Sequence, residues 1–172
     1  IVIHLAAHVH VMTPQKEDVR SFHRVNVLGT KNLAEAAARS GVSRFIFLST
    51  VKVHGEYTIS DPWTEESSIA PQDAYAISKA EAERVLHDVS DATGMKIVII
   101  RPPLVYGPMV KANFQTLLKA VYSGMPLPFY GVQNRRSMIY LGNLVDALVL
   151  CLWHEHAANQ TFLVSDDNDV SI

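Results

Sequence analysis

Two hydroxyls, a phenol and an ammonium are the side chains here whose types and spacing could move a proton. Ser49 and Thr50 close the apolar run RFIFLST, Arg44 to Thr50. Tyr75 and Lys79 stand four residues apart in YAISK, one helical turn, and so share a helix face. A free phenol titrates near ~10 and is a poor base at neutral pH. A cation close by favours phenolate and lowers that value. A helix carrying both groups therefore offers a tuned proton acceptor, with Thr50 placed to relay a proton or hold a substrate hydroxyl. A tyrosine and lysine at this spacing also arise by chance on amphipathic helices. The strand-end hydroxyls upstream give the pair its chemical meaning.

The elements around these residues alternate in kind. IVIHLAA reads as a buried strand, followed by a helical stretch from about Lys16 to Ser40 that Gly41 stops. RFIFLST is a second strand, Ala74 to Thr93 a helix closed by Gly94, and KIVIIRP, Lys96 to Pro102, a third strand. Runs apolar on both faces, separated by amphipathic helices, predict a parallel sheet covered on both sides, the doubly wound α/β class. In such sheets ligands bind beyond the carboxyl ends of the strands, where Ser49 and Thr50 fall. After Pro102 the texture changes. RPPLVYGP is turn-rich, Asn113 to Gly124 is helical, SMIYLGNLVDALVLCLWHE gives a short strand and a helix, and QTFLVSD a last strand. The expected division is residues 1–102 as the C-terminal part of a dinucleotide-type domain and 103–172 as mainly a substrate-binding part, truncated at its C-terminus where another helix should begin.

Composition excludes several classes. The 172 residues are 48% hydrophobic and 19% charged, with a formal net charge of −2, which suits one packed domain. No Lys/Arg cluster offers a footprint for nucleic acid or an anionic membrane, and the apolar runs are strand-sized, far short of a membrane span. Cys151, the single cysteine, sits in an apolar run as a small buried hydrophobe, and a reducing cytosol is the expected compartment. His8 with His10, and His154 with His156, form HxH pairs, but no further cysteine or carboxylate cluster completes a metal site. No bound metal is expected.

The segments VIHLAA, NVLGTKNLAEAA, FIFLSTVKVHGE, YAISKAEAE, RPPLVYGP and NRRSMIYLGNLVDA, in this order, resemble the extended short-chain dehydrogenase/reductases. The branch is that of the nucleotide-sugar epimerases and dehydratases. The resemblance covers almost the whole chain and implies a Rossmann-like fold, an NAD or NADP cofactor and a nucleotide-linked sugar. By it, Thr50 takes the catalytic Ser/Thr position, Tyr75 the general acid/base, and Lys79 the cofactor-ribose anchor. Leu5, Ala6 and Ala7 would line the cofactor through backbone atoms. Asn26, which fills the structural asparagine near the site, and Ser49, beside Thr50, are expected with Tyr75 and Lys79 among the cofactor-binding residues, and Pro102 would lie against the nicotinamide. Arg136 matches the arginine that grips the sugar-nucleotide pyrophosphate, a task suited to a guanidinium fork. Asn113 matches a residue contacting the nucleotide phosphates.

Departures from the family pattern narrow the reading. Sugar-nucleotide 4,6-dehydratases carry an acidic pair directly after the catalytic threonine, where this chain has Val51 and Lys52. Many UDP-galactose 4-epimerases have asparagine where this chain has Leu104. RPPLVYGP and FLVSDDNDVS look closer to epimerase-like enzymes of bacterial surface-polysaccharide pathways. No GxxGxxG loop occurs, although the family's first βα turn uses one to cradle the cofactor pyrophosphate. IVIHLAA matches the family's fourth strand, so on the order of 60 residues would precede Ile1, at ~30 per βαβ unit. The expectation is an NAD-dependent, UDP-glucose 4-epimerase-like enzyme. The alternatives are a 4-ketoreductase of a 4-keto-6-deoxy sugar nucleotide, a reductase of a non-sugar substrate, and a non-catalytic fragment. The resemblance also implies a homodimer. Ala76, Ala80, Glu83 and His87, with Ala34 and Ala38 on the earlier helix, are the expected contact face.

Overall fold

The computed structural model of the chain describes residues 1–9, 16–59, 61–108, 112–125 and 134–171, with side chains at 16–18 and 112–114 outside that description. The main sheet holds β1 (Val2–His4), β2 (Arg44–Leu48), β3 (Lys96–Arg101) and β6 (Gln160–Leu163), in the order β1-β2-β3-β6. All three pairings are parallel, with Val2 opposite Phe45, Arg44 opposite Lys96 and Val98 opposite Gln160. A second sheet pairs β4 (Leu104–Tyr106) with β5 (Met138–Tyr140), also parallel. The helices are α1 (Lys16–Phe22), α2 (Gly29–Arg39), α3 (Ala74–Thr93), α4 (Ala112–Tyr122) and α5 (Leu141–Trp153). A single π-helical turn, His23–Leu28, joins α1 to α2.

Strand alternation sorts the core into two layers. Phe45, Phe47, Ile97 and Ile99 point to one face, where Ala34 and Ala37 of α2 and Ala82, Leu86 and Val89 of α3 cover them. Ile46, Val98 and Ile100 point to the other and pack on Leu144, Leu148 and Cys151 of α5. This is the doubly wound arrangement. Each fully buried Phe or Ile contributes about 1.5–3 kcal/mol of transfer free energy. Truncating Phe47 to alanine would cost about 3–5 kcal/mol.

Three features differ from the sequence-based expectations. β6 pairs with β3 and α5 covers the same sheet, so residue 102 is not a break in the fold. RPPLVYGP contains strand β4, a pairing hidden by the flanking prolines and glycine. The helix face expected to meet a partner chain is also corrected. Ala76 and Glu83 are buried within the protein, and Ala34 packs in the core. The buried arc of α3 is wide because the helix covers the sheet on one side and adjoins α2 on another. Of that face Ala80 and His87 do lie outward, together with Ile77, Glu81 and Arg84.

Candidate active site

The carboxyl ends of β2 and β3 are held level by backbone bonds from Ser49 N to the Ile100 carbonyl, 2.7 Å, and from Val51 N to the Pro102 carbonyl, 3.0 Å. Beyond β2 the chain turns into a short 3-10 helix, Val51–His54, whose N-cap is Thr50. The Thr50 hydroxyl accepts the Lys52 amide at 3.3 Å, the usual way a threonine satisfies an open helix end. Asp73 does the same for α3, its Oδ1 accepting from Ala76 N at 2.6 Å. Gly94, at φ 75°, closes that helix with a bond from its N–H to the Ser90 carbonyl. A left-handed cap of this kind favours glycine. The two caps set where α3 begins and ends, and hence where Tyr75 and Lys79 stand.

Tyr75 is half-buried, its ring 6.4 Å from that of Phe22, which in turn lies 4.8 Å from His8. Lys79 is buried, 2% exposed, with its ammonium 3.8 Å from the centre of the Phe47 ring, a cation–π contact. Burial pulls the Lys79 pKa down to about 7, against the opposing charge of Glu83. The Tyr75 phenol is pushed above its ordinary value, first by burial and then by the Asp73 carboxylate, while Lys52 opposes the rise. That is the reverse of the lowering expected from Lys79, and the physical reason is burial. The phenol loses hydration, and so does the lysine expected to offset that loss.

Asn26 comes from the π-helical turn and is 1% exposed. Its amide oxygen accepts from His8 N at 2.7 Å, and its Nδ2 donates to the His8 carbonyl at 3.1 Å and to Ser78 Oγ at 2.9 Å. The amide thus ties the chain after β1 to α3, one residue before Lys79, and its hydrogen bonds go to protein. Ser49 was expected to face the cofactor, yet its hydroxyl donates to Glu83 Oε1. Leu5 and Ala6 are exposed and Ala7 is half-buried directly after β1, and Pro102 is buried at the end of β3.

The expected nucleotide contacts lie apart from this cluster in sequence. Arg136 forms an antiparallel bridge with Val170, with bonds of 2.9 and 3.1 Å, and its side chain is exposed. Asn113 falls in the first turn of α4, and its side chain is outside the described residues. His10 also lies outside them. The rings of His154 and His156 are 5.7 Å apart. Among the described residues no group of three or more His, Cys, Asp or Glu converges as a metal site would.

Sequence reasoning missed a buried polar group beneath Lys79, made by Glu83, Arg101 and His54. One signal was present: Glu83 follows Lys79 by four residues, on the same helix face. A second cluster stands beside Tyr75, where Lys52 Nζ binds Asp73 Oδ2 and lies 2.8 Å from Glu56 Oε1. Burial alone would lower the Lys52 pKa, but its two carboxylate partners outweigh that and raise it.

The donor set suits a dinucleotide. Lys79 presents an ammonium, and the carboxylate nearest it along the helix is occupied by Ser49 and Arg101. Its N–H groups therefore suit ribose hydroxyls. His8 Nε2 is a buried polar atom with no hydrogen-bond partner among the described residues. Leu5 and Ala6, exposed directly after β1, leave that segment open to a ligand.

Known proteins resemble this chain over nearly its whole length. The profile of the NAD dependent epimerase/dehydratase family matches residues 1–165. A UDP-glucose 4-epimerase from Vibrio cholerae is 49% identical over 174 residues, covering 99% of this chain and 53% of that protein. A dTDP-glucose 4,6-dehydratase from Streptomyces niveus is 32% identical over 154 residues, 88% of this chain and 45% of that protein. The crystal structure of a UDP-glucuronic acid 4-epimerase from Bacillus cereus, in complex with UDP-glucuronic acid and NAD, superposes with a TM-score of 0.85 at 26% identity. It covers 99% of this chain and 55% of the other. The chain thus spans about half the length of the relatives it matches. The Rossmann-like sheet, the Tyr75–Lys79 helix and the matched residues together show that the chain belongs to the NAD dependent epimerase/dehydratase family.

Proposed function

We propose that the protein is an NAD-dependent nucleotide-sugar 4-epimerase, UDP-glucose 4-epimerase-like, with Thr50, Tyr75 and Lys79 as its proton-handling site. The observation that carries this reading is the placing of Tyr75 and Lys79 on a capped helix whose Lys79 ammonium lies 3.8 Å from the centre of the Phe47 ring of β2. The 49% identity to a UDP-glucose 4-epimerase supports the substrate class. When bound, the nicotinamide supplies reversible hydride acceptance at the sugar C4 carbon. With the cationic nicotinamide ring bound beside it, which would favour the phenolate against burial, Tyr75 Oη takes the proton of the C4 hydroxyl and later returns it. Thr50 Oγ1 holds that same oxygen. Lys79 binds the cofactor ribose, Leu5, Ala6 and Ala7 approach the cofactor through backbone, and Asn26 fixes the Leu5–Ala7 segment against α3. Asn113 and Arg136 bind the nucleotide phosphates.

Lys52 favours epimerisation over dehydration. Loss of water needs an acid/base after the threonine, and Lys52 is instead a cation held by two carboxylates. Among the described residues no helix is long and apolar enough to cross a membrane. The protein works in the cytoplasm, on surface-polysaccharide precursors, as a homodimer. The outward side of α3 supports the dimer. Ile77, 43% exposed, lies with Ile69, Pro71, Ala80, Glu81 and Arg84 around one shallow hollow.

The test is an assay of the whole protein carrying this chain with UDP-glucose and UDP-galactose. Sustained interconversion without added cofactor is expected. Stoichiometric NADH consumption on a 4-keto-6-deoxy sugar nucleotide would establish a ketoreductase instead. Inactivity on both substrate types would overturn the reading.

A further inference from the structure

Beneath Lys79 the ends of two strands, a 3-10 turn and α3 converge on one buried ionic group. Glu83 lies one turn after Lys79 and is 4% exposed. Its Oε1 accepts from Ser49 Oγ, at the end of β2, and from Arg101 Nε at 3.1 Å, and its Oε2 accepts from Arg101 Nη2 at 2.6 Å. The remaining Arg101 fork, Nη1, lies 3.0 Å from His54 Nε2. A guanidinium only donates, so Nε2 accepts and Nδ1 carries the proton, which goes to the Ser68 carbonyl at 3.1 Å. The His54 ring stacks on Trp63. Every polar atom of the group has a defined partner.

Such an ion pair is weak evidence for stability, because desolvating both charges offsets their attraction. Its geometry does something else. A carboxylate gripped by a two-pronged guanidinium cannot swing onto the lysine one turn away. It acts on Lys79 through its charge and leaves the ammonium's donors to a ligand. We infer that Glu83 is a positioning residue for Lys79, a counter-charge fixed by Arg101 and Ser49 that keeps the buried lysine cationic.

The other groups around Lys79 give it no such help. His4 on β1 and Arg101 on β3 are neutral or positive, Tyr75 is neutral, and Phe47 on β2 offers only its ring face. Burial lowers the lysine to about 7 and Glu83 is the charge that opposes it. The inference deepens the proposed function and rests on it only for the consequence in turnover.

The experiment is a carbon NMR titration of the Lys79 Cε signal, paired with the pH profile of kcat/KM, both in the whole enzyme that carries this chain. Wild type should titrate near 7. Glu83→Gln should titrate lower, and each unit of lowering cuts the charged fraction above it about tenfold. Arg101→Met, which releases the carboxylate toward the lysine, should titrate higher. Mere loosening of the fold would move both variants up toward the ordinary lysine value. Where Glu83→Gln does not fold, the double variant Glu83→Gln/Arg101→Met removes both charges and should still titrate below wild type. A Lys79 signal at or above the wild-type midpoint in the folded Glu83 variant, or in the double variant in its place, overturns the inference. If the signal moves as expected while the kcat/KM profile stays fixed, Glu83 positions the lysine and the proposed role of Lys79 in turnover is what fails.

Discussion

At the scale of single residues, Tyr75→Phe removes one hydroxyl from a half-buried ring whose packing on Phe22 it leaves intact. In the whole enzyme, turnover should fall about 10²–10⁴-fold, as for loss of a positioned acid/base, with little change in the unfolding midpoint. Near-normal turnover of the purified variant would remove Tyr75 from the mechanism. Lys79 makes the opposite kind of prediction. Its folded pKa of about 7 lies below the ordinary 10.5, so the fold carries the full penalty of a buried ammonium below pH 7. Between those values the unfolded chain holds a proton that the native chain has released. Raising the pH through that window therefore increases stability. Lys79→Met should be more stable than wild type at pH 6 by at most about 5 kcal/mol, and the gap should narrow by pH 9.5. Urea denaturation at the two pH values measures it, and a gap independent of pH would mean the lysine is not desolvated.

At the scale of elements, α3 decides the site, because its N-cap Asp73 is also a charge beside Tyr75. Asp73→Asn keeps a capping side chain and removes the charge that raises the phenol. The acid limb of the kcat/KM profile should shift to lower pH, whereas Lys52→Met should shift it upward. Shifts of the same sign in both variants would refute the electrostatic assignment. Much of this helix was legible in the sequence, since Ala74 to Thr93 reads as a helical stretch that Gly94 stops, while its Asp73 cap came only with the structure. The strands β2 and β3 were legible as apolar runs, and β6 as QTFLVSD. What could not be read was any property set by long-range contact. The direction of the Tyr75 shift depends on burial. The partners of Ser49 depend on a strand and a helix meeting. The pairing of β4 with β5 joins segments more than thirty residues apart. The π turn that aims Asn26 has no signal of its own, because HRVNVL simply continues the helical pattern on either side.

At the scale of the whole molecule, the outward side of α3 is the surface that decides assembly. Ala80→Lys adds a second cation one helical turn before Arg84, at the hollow they share with Ile69, Pro71 and Ile77. An unpaired charge in a packed interface is costly, so light scattering should show this variant as a monomer where the unmodified whole protein is a dimer. A monomeric unmodified protein at high concentration would exclude this interface. The sequence of 172 residues contains no GxxGxxG loop, and calorimetry on the chain by itself should find NAD binding far weaker than micromolar. Micromolar affinity would show that Lys79 and the backbone after β1 hold the cofactor without a glycine-rich cradle.

The pairing of β6 with β3 has a consequence during translation. β3 ends at Arg101 and its outer neighbour begins only at Gln160. At ribosomal speeds of roughly 5–20 residues per second, the strand waits on the order of several seconds with one edge unpaired. That edge belongs to Ile97–Ile100, four aliphatic residues buried in the finished protein, the kind of segment that nucleates intermolecular pairing in a nascent chain. Lys96 and Arg101 bracket it with cations, as gatekeepers do. Arg101 thus guards the edge of the growing polypeptide, besides holding Glu83 in the finished fold.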